Sequence, residues 1–303
     1  MFSTRSGAAR LSLIVITGLV VLKIVVSAIT GSISIIAQSI DSLLDLLAVA
    51  TTFLAVRIAT KPADKEHPFG HGKVENIAAI GQAALIFTAG ALIIYSAARR
   101  ITIGATVELT EIGIGVMAAS IIVSIFLSRH LLKVSRATDS VALEANARNI
   151  TTDIYSAAAV LAGLVAIRFT GINILDPIIA LAVASFILKV GYDILKRSFG
   201  GLIDVRLPET EENVIRSSIT KHSDEVIGFH QLRTRKAGSQ RHIDLHLVVP
   251  KHISVEESHK ICDEVEQDIE SRLSDVSVTI HVEPCSEECD QCPIPPDKRG
   301  KRP

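Results

Sequence analysis

Six apolar stretches fill the first two thirds of the chain and decide what it can fold into. They fall at 11–30, 33–56, 76–97, 112–132, 145–169 and 174–195. A helix that spans a bilayer needs about 20 mostly apolar residues, and each stretch has that length. The average over the 303 residues reflects this: 48% are hydrophobic, 21% are charged and the mean hydropathy is +0.40. Such a composition excludes a disordered chain, a fibrous repeat and a simple soluble enzyme. The remaining third is polar, which predicts a six-helix transmembrane domain over 1–200, a separate domain over 201–285 and a tail over 286–303. The first stretch is not a cleaved leader: it contains Lys23, lacks a convincing cleavage site and runs almost directly into the second. The net charge of −1 supplies no basic field, so no nucleic-acid partner is expected. Trp is absent and only three Tyr occur, so the interfacial aromatic belt is weak.

Basic residues in short loops set the orientation. One side carries Arg5, Arg10, Arg57, Lys61, Lys65, Lys73, Arg129, Lys133, Arg136, Arg148, Lys196 and Arg197. The other has Gly31 and Ser32 in its first turn, Arg99 and Arg100 offset by Glu108 and Glu111 in its second, and Arg168 in its third. The first group is assigned to the cytoplasm. Both termini then face the cytoplasm, as an even number of spans requires, and the chain reads as a multi-pass protein of a prokaryotic-type inner (plasma) membrane.

Carboxylates inside these spans carry the chemistry. In the second span Asp41 and Asp45 are four residues apart, stacked on one helical face with Gln38 and Ser42. Each intramembrane acid costs a few kcal/mol on insertion scales, so two on one face call for a partner, a cation or protonation. The fifth span offers a second polar stripe of Asn146, Asn149, Asp153 and Ser156. Packed together, the two helices would present three carboxylates and one amide oxygen to a single small divalent cation. The bland alternative is polar glue between helices, which suits Asn and Ser better than three Asp in two i, i+4 pairs. Lys23 is either a counter-charge for these acids or a snorkelling, packing residue.

Beyond Arg197 the pattern changes. Gly200 and Gly201 suggest a hinge, and Pro208 opens a charged helix over 209–220. Strands are expected at 227–234 and 241–249 around a turn at 236–240. A helix at 254–273 follows, then a strand at 276–282 in which Val276, Val278, Ile280 and Val282 alternate with polar residues. The order αββαβ gives a small two-layer α+β domain. Seven of the ten His lie beyond Thr220, and His242, Asp244 and His246 alternate on one strand face. The tail holds Cys285, Cys289 and Cys292. Three thiols in a reducing compartment could bind metal, with Cys262 as a further ligand, or carry redox chemistry, or the Pro-rich tail is simply disordered.

Three motifs in order are similar to the cation diffusion facilitator family of divalent metal transporters, in its bacterial zinc and iron efflux branch. They are the Asp41-xxx-Asp45 pair, the loop from Lys61 to Glu75 (KPADKEHPFGHGKVE) and the segment from Gly228 to Gly238 (GFHQLRTRKAG). The resemblance covers roughly residues 10–285. It implies a six-helix membrane domain, a ferredoxin-like cytoplasmic metal-binding and dimerisation domain, a homodimer in the lipid bilayer, and exchange of divalent metal (Zn, Fe or Mn) for protons. By position it implies a membrane transport site of Asp41, Asp45, Asn149 and Asp153, with Asp41, Asp45 and Asp153 carrying the protons. It implies a loop site of Asp64, His67 and His71, for which the bland reading is a polar turn. It further implies an ion pair of Lys73 and Asp204 at the dimer centre, and a cytoplasmic cluster of His230, His246, His259, His281 and Glu283 holding structural or regulatory metal. Two positions depart from the pattern: Asn149 stands where zinc transporters usually have His, and Glu283 where Asp is usual. An amide oxygen is a harder donor than imidazole and shifts the expectation toward Mn²⁺ or Fe²⁺. His222, His242 and His252 match no family ligand and are assigned to the surface.

A non-transporting membrane metal sensor or scaffold is the rival reading. An enzyme is not expected: there is no HExxH helix for metal hydrolysis and no GxxxxGK[ST] loop to bind nucleotide.

Overall fold

A backbone that crosses hydrocarbon must satisfy its own N–H and C=O groups, and the apolar part of this chain is accordingly built of long helices. The computed structural model describes residues 3–30, 33–103, 111–170, 175–222 and 225–285, without the side chains of 27, 30, 33–41, 100, 103, 111–114, 116–117, 160–170 and 175–176. Six long helices come first: α1 (Arg5–Thr30), α2 (Ile33–Ala59), α3 (Val74–Ile103), α4 (Glu111–Thr138), α5 (Val141–Thr170) and α6 (Leu175–Leu202). Then follow α7 (Glu209–Thr220), β1 (Gly228–Ala237), β2 (Gln240–Val249), α8 (Val255–Arg272) and β3 (Val276–Pro284). The chain divides after Gly200 into two compact units.

Among the described residues, α1, α2, α3, α4 and α6 are each long and apolar enough to cross a membrane. The described part of α5 is less apolar because it carries Glu144, Arg148 and Asp153. Its neighbours explain how it is accommodated. One cluster joins Ile16 and Val20 of α1, Val49 and Val56 of α2, Leu127 and Leu131 of α4, and Leu143 and Ile150 of α5. Another joins Ala83 and Ile86 of α3, Val141 and Ala145 of α5, and Ile187 and Ile194 of α6. α5 thus contributes to both clusters and has protein on several sides. On α3 and α6 small residues allow close approach: a Cβ added at Gly90 would sit 2.8 Å from Leu188 Cδ2, and one at Gly191 3.1 Å from Ile86 Cγ2. Polar ties cross the interfaces. Gln82 of α3 donates to the Ala48 carbonyl (2.7 Å) and to Thr52 Oγ1 (3.0 Å) of α2.

The expected hinge at Gly200 and Gly201 is not one. α6 runs through both glycines to Leu202, a cost of about 1 kcal/mol per helical Gly relative to Ala, and the left-handed residue comes at Asp204 (φ 57°).

In the second unit a hairpin and a crossover make one three-stranded sheet of order β1-β2-β3. β1 and β2 are antiparallel, joined at Gly238 (φ 64°), which takes the left-handed turn conformation open to glycine. β2 and β3 are parallel, as the intervening α8 permits. Ile243, Leu245, Leu247 and Val249 alternate inward from β2 onto Ile215 and Ile219 of α7 and Val265 and Ile269 of α8. The opposite face of the sheet carries the polar residues. Pro208 is the N-cap of α7 and offers no side-chain bond. Ser254 caps α8 in a reciprocal capping box with Glu257.

These roles differ in energetic weight, and substitution will separate them. Leu245→Ala removes a fully buried side chain and is expected to cost about 2–5 kcal/mol; Ser254→Ala loses one cap and is expected to cost about 1 kcal/mol. Hydrogen exchange on the full chain in detergent should show loss of protection across β1–β3 for the first, and mainly in the first turn of α8 for the second.

Candidate metal sites

A cavity of about 410 Å³ lies among α1–α5 and brings several intramembrane polar groups together. Asp45 of α2 and Asn149 and Asp153 of α5 line it together with Lys23 and Ser42. The i, i+4 spacing on α5 puts Asn149 and Asp153 on one face, one turn apart. Asn149 is 6% exposed, while Asp45 and Asp153 are half-buried. The side chain of Asp41 lies outside the described residues. Asn146, on the same sequence stripe, is turned elsewhere: its Nδ2 donates to Ser12 Oγ of α1 at 3.1 Å. That residue is glue between helices. Lys23 does not snorkel outward. Its ammonium donates to Ser42 Oγ at 2.6 Å, which brings a positive charge into the lining that holds the two carboxylates. Oxygen donors, a cation and confinement in low dielectric can exchange a small cation for protons while keeping the net charge small.

The α2–α3 loop folds around Asp64. Its Oδ1 accepts the amides of Glu66 (3.0 Å) and His67 (2.7 Å), an Asx-type turn. Gly70 closes the loop at φ 77°, donating its amide to the His67 carbonyl at 2.9 Å. His67 Nδ1 and His71 Nε2 then lie 3.3 Å from Oδ1 and Oδ2 of Asp64, one on each carboxylate oxygen. Ligand atoms of the three lie within 4.8 Å of one another. The His67 amide holds the Asp64 carboxyl below the usual carboxylate range, so it is ionised at neutral pH and ready for a cation.

A third group crosses the outer face of the sheet. Register pairs His230 of β1 with His246 of β2, and His246 with His281 of β3, a lateral row over three strands. A bulge between His230 and Arg233, with Gln231 at φ 51°, adjusts β1 locally. Glu283 is two residues beyond His281 and so shares its face. Its Oε2 lies 3.0 Å from His230 Nε2, and its Oε1 lies 2.7 Å from His246 Nδ1 and 3.8 Å from His281 Nε2. His246 bonding holds the Glu283 carboxyl below its ordinary range, with His230 adding to the effect. One carboxylate among three imidazoles is a donor set suited to zinc-like cations.

Other sequence expectations land differently. His259 stands apart within one chain, on the exposed side of α8, with Nδ1 3.7 Å from Asp263 Oδ1. α8 packs its Ile261 and Val265 on the inner face of the sheet, whereas the His row is on the outer face. Asp204 lies 3.6 Å from Arg235 Nη1. Lys73 sits in the turn into α3, where its carbonyl accepts the Asn76 amide at 3.1 Å. Of the supposed surface histidines, His242, on the central strand between Arg235 and Ser277, is buried at 7% exposed, and His222 is part-buried, its side chain 16% exposed. His252 is exposed. Cys285 is buried beside β2, its amide bonded to the Val249 carbonyl at 2.9 Å. Burial pushes the Cys262 thiol up to about 11, which leaves it protonated and a poor metal ligand at neutral pH. Residues 286–303, with Cys289 and Cys292, lie outside the described residues.

The sequence reading assigned no role to Glu75. It is fully buried, and its Oε2 accepts Ser140 Oγ (2.6 Å) and the Ala142 amide (3.3 Å) at the N-terminus of α5. Arg5 of α1 is 3.9 Å from its other oxygen. A carboxylate at a helix N-terminus complements the helix dipole, and the available signal was an acid at the start of an otherwise apolar span.

Comparison with known proteins identifies the family. The family model for the cation efflux transmembrane domain matches residues 9–203, and that for the cytoplasmic domain of cation efflux proteins, the family's dimerisation domain, matches residues 207–285. The chain is 34% identical over 263 residues to the uncharacterized transporter sll1263 of Synechocystis sp., covering 87% of this chain and 85% of that one. It is 33% identical over 285 residues to the cation-efflux pump FieF of Cronobacter sakazakii, with 93% of each chain covered. To the cation-efflux pump FieF of Shewanella oneidensis it is 32% identical over 277 residues, covering 91% of this chain and 93% of that one. With apolar spanning helices, a mixed-sheet second domain and both family models matched, the chain belongs to the cation diffusion facilitator family of membrane cation-efflux transporters, whose members are not enzymes.

Proposed function

We propose that this protein is a secondary active transporter that exports a divalent metal cation from the cytoplasm in exchange for protons. The observation that carries the reading is the cavity among α1–α5 lined by Asp45, Asn149, Asp153 and Lys23. Asp41, one turn before Asp45 in the sequence of α2, is the fourth ligand of this proposal, its side chain lying outside the described residues. The physical logic is charge balance. Carboxylates in a low-dielectric bundle are costly when ionised and unpaired, several kcal/mol each. Either a divalent cation or protons on Asp41, Asp45 and Asp153 remove that cost, so arrival of one favours departure of the other. Lys23, bonded to Ser42, offsets part of the charge between the two occupancies. No nucleotide-binding loop is present in the sequence, so the energy comes from the proton gradient.

Asn149 sets the metal. An amide oxygen in place of imidazole makes the donor set all-oxygen, which favours Mn²⁺ or Fe²⁺ over Zn²⁺ relative to a histidine site. Asp64, His67 and His71 form an entry site on the cytoplasmic loop, with an ionised carboxylate between two imidazoles. The protein works as a homodimer in the inner membrane, both termini in the cytoplasm, with Lys73 and Asp204 paired at its centre. His230, His246, His281 and Glu283 hold regulatory metal, and His259 joins them from the second subunit.

Flux in liposomes under an imposed pH gradient tests the reading. With Mn²⁺, Fe²⁺, Zn²⁺ and Cd²⁺ offered in turn, Mn²⁺ or Fe²⁺ should move. Asp45→Ala should lower the rate at least about 100-fold, in line with loss of a first ligand, and Asn149→His should turn the preference toward Zn²⁺. Metal bound to the protein without flux of any ion under any gradient would sink the transporter and leave a membrane metal sensor.

The regulatory cluster makes its own prediction in the metal-free protein. The folded-state pKa of Glu283 is depressed, so its contribution to stability is present above its unfolded value near 4.5 and disappears as pH falls through the lower folded value. Melting curves recorded in chelator from pH 6 to pH 3 should therefore show a smaller acid-induced fall for Glu283→Gln than for the parent. Equal slopes would mean that the carboxylate makes no net bond to the His row.

A further inference from the structure

We propose that His222, Glu225 and Glu264 form an additional divalent-cation site, on the helix layer of the second unit and separate from the His230–His246–Glu283 group. It stands whether or not the chain carries flux. His222 directly follows Lys221, the C-cap of α7. The turn then folds back, with the amides of Glu225 and Val226 donating to the His222 carbonyl at 3.0 and 2.9 Å. Glu264 comes from α8, which packs beside α7 over the sheet. One ligand atom from each of the three lies within 4.8 Å of the other two.

The imidazole is what separates this group from an ordinary acidic patch. A histidine kept for structure usually gives one ring nitrogen to a carbonyl or carboxylate. The His222 side chain is 16% exposed, yet its buried Nε2 has no hydrogen-bond partner among the described residues. Its Nδ1 lies 3.9 Å from Glu264 Oε2, beyond hydrogen-bond distance. Two donors on one cation at about 2.1 Å are roughly 3–3.5 Å apart, so closure by about half an ångström would bring His222 and Glu264 onto a shared ion. The exposed Glu225 and the 42%-exposed Glu264 side chain have room to make that movement. Lys260 takes the other oxygen of Glu264, with Nζ 3.8 Å from Oε1, and leaves Oε2 facing the ring. The negative end of the α7 dipole adds attraction for a cation. One imidazole with two carboxylates suits Zn²⁺, Mn²⁺ or Fe²⁺. A bound ion would clasp the α7–β1 turn to α8 and stabilise the second unit in proportion to its occupancy.

Equilibrium dialysis of the full chain in detergent, stripped with chelator and titrated with Zn²⁺ alone, tests the site. His222→Asn and Glu264→Gln should each bind one equivalent fewer per chain than the parent. That loss should add to the loss caused by His246→Ala. Their melting temperatures in chelator should match the parent's, while the rise produced by Zn²⁺ should be smaller. Should His222→Asn lower the chelated melting temperature, the exposed Glu225→Gln carries the test in its place with the same expected loss. Parent stoichiometry in either of the two variants that bear the test would overturn the three-ligand site.

Discussion

Charge confined in hydrocarbon is the constraint on which the membrane unit depends. Asp45 and Asp153 could be placed on a lipid-facing surface only at a cost comparable with much of a domain's net stability. They line an internal cavity instead, and the helices are arranged so that this is possible. α5 shows the consequence most clearly. It is the least apolar of the long helices over its described part, and it joins the cluster built with α1, α2 and α4 as well as the one built with α3 and α6. The apolar sides of α1, α2, α3, α4 and α6 face outward, so exposed Leu, Ile and Val are abundant on them, as a lipid-facing surface requires.

The polar residues of this unit divide into two kinds that look alike in one dimension. Gln82, Ser140 and Asn146 bond across helix interfaces, to Ala48 and Thr52, to Glu75 and to Ser12. Measured interhelical bonds of this type average about 0.6 kcal/mol, so they favour a packing arrangement more than they stabilise it. Asp45, Asn149 and Asp153 line the cavity. Asn146 and Asn149 are three residues apart and about 60° apart around α5, which is enough to send one to α1 and the other into the cavity.

Much of this was legible from sequence, for identifiable reasons. Hydropathy over 20-residue windows finds spanning helices because the bilayer selects length directly. The i, i+4 pair on α5 finds Asn149 and Asp153 because a helix has a fixed period. Period-two alternation likewise separates Ile243, Leu245 and Leu247 from Asp244 and His246. What stayed hidden depends on which elements meet. The lateral row of His230, His246 and His281 requires a bulge in β1 and a parallel pairing of β3 that no local pattern announces. His222 and Glu264 come together only because α7 packs beside α8. Gly200 and Gly201 suggested a break, but two helical glycines cost only about 2 kcal/mol together, and the helix continued to Leu202.

The donor sets in the two units differ in a way that follows from chemistry rather than from position. Inside the bundle the described groups are oxygens, with an ammonium already present, so a cation there competes with protons and with Lys23. On the proposed function, such a site would hold its ion weakly and could give it up. On the sheet, three imidazoles lie around one carboxylate whose ionised form is already favoured by hydrogen bonding to His246 and His230. Imidazole is a softer donor and pays little to lose a proton near neutrality. A cation that reaches both would stay longer on the sheet than in the cavity. Retention is the property a sensor needs and ready release the one a carrier needs, so, on the function proposed above, an amide in place of imidazole at Asn149 would sharpen a division of labour between the two donor sets.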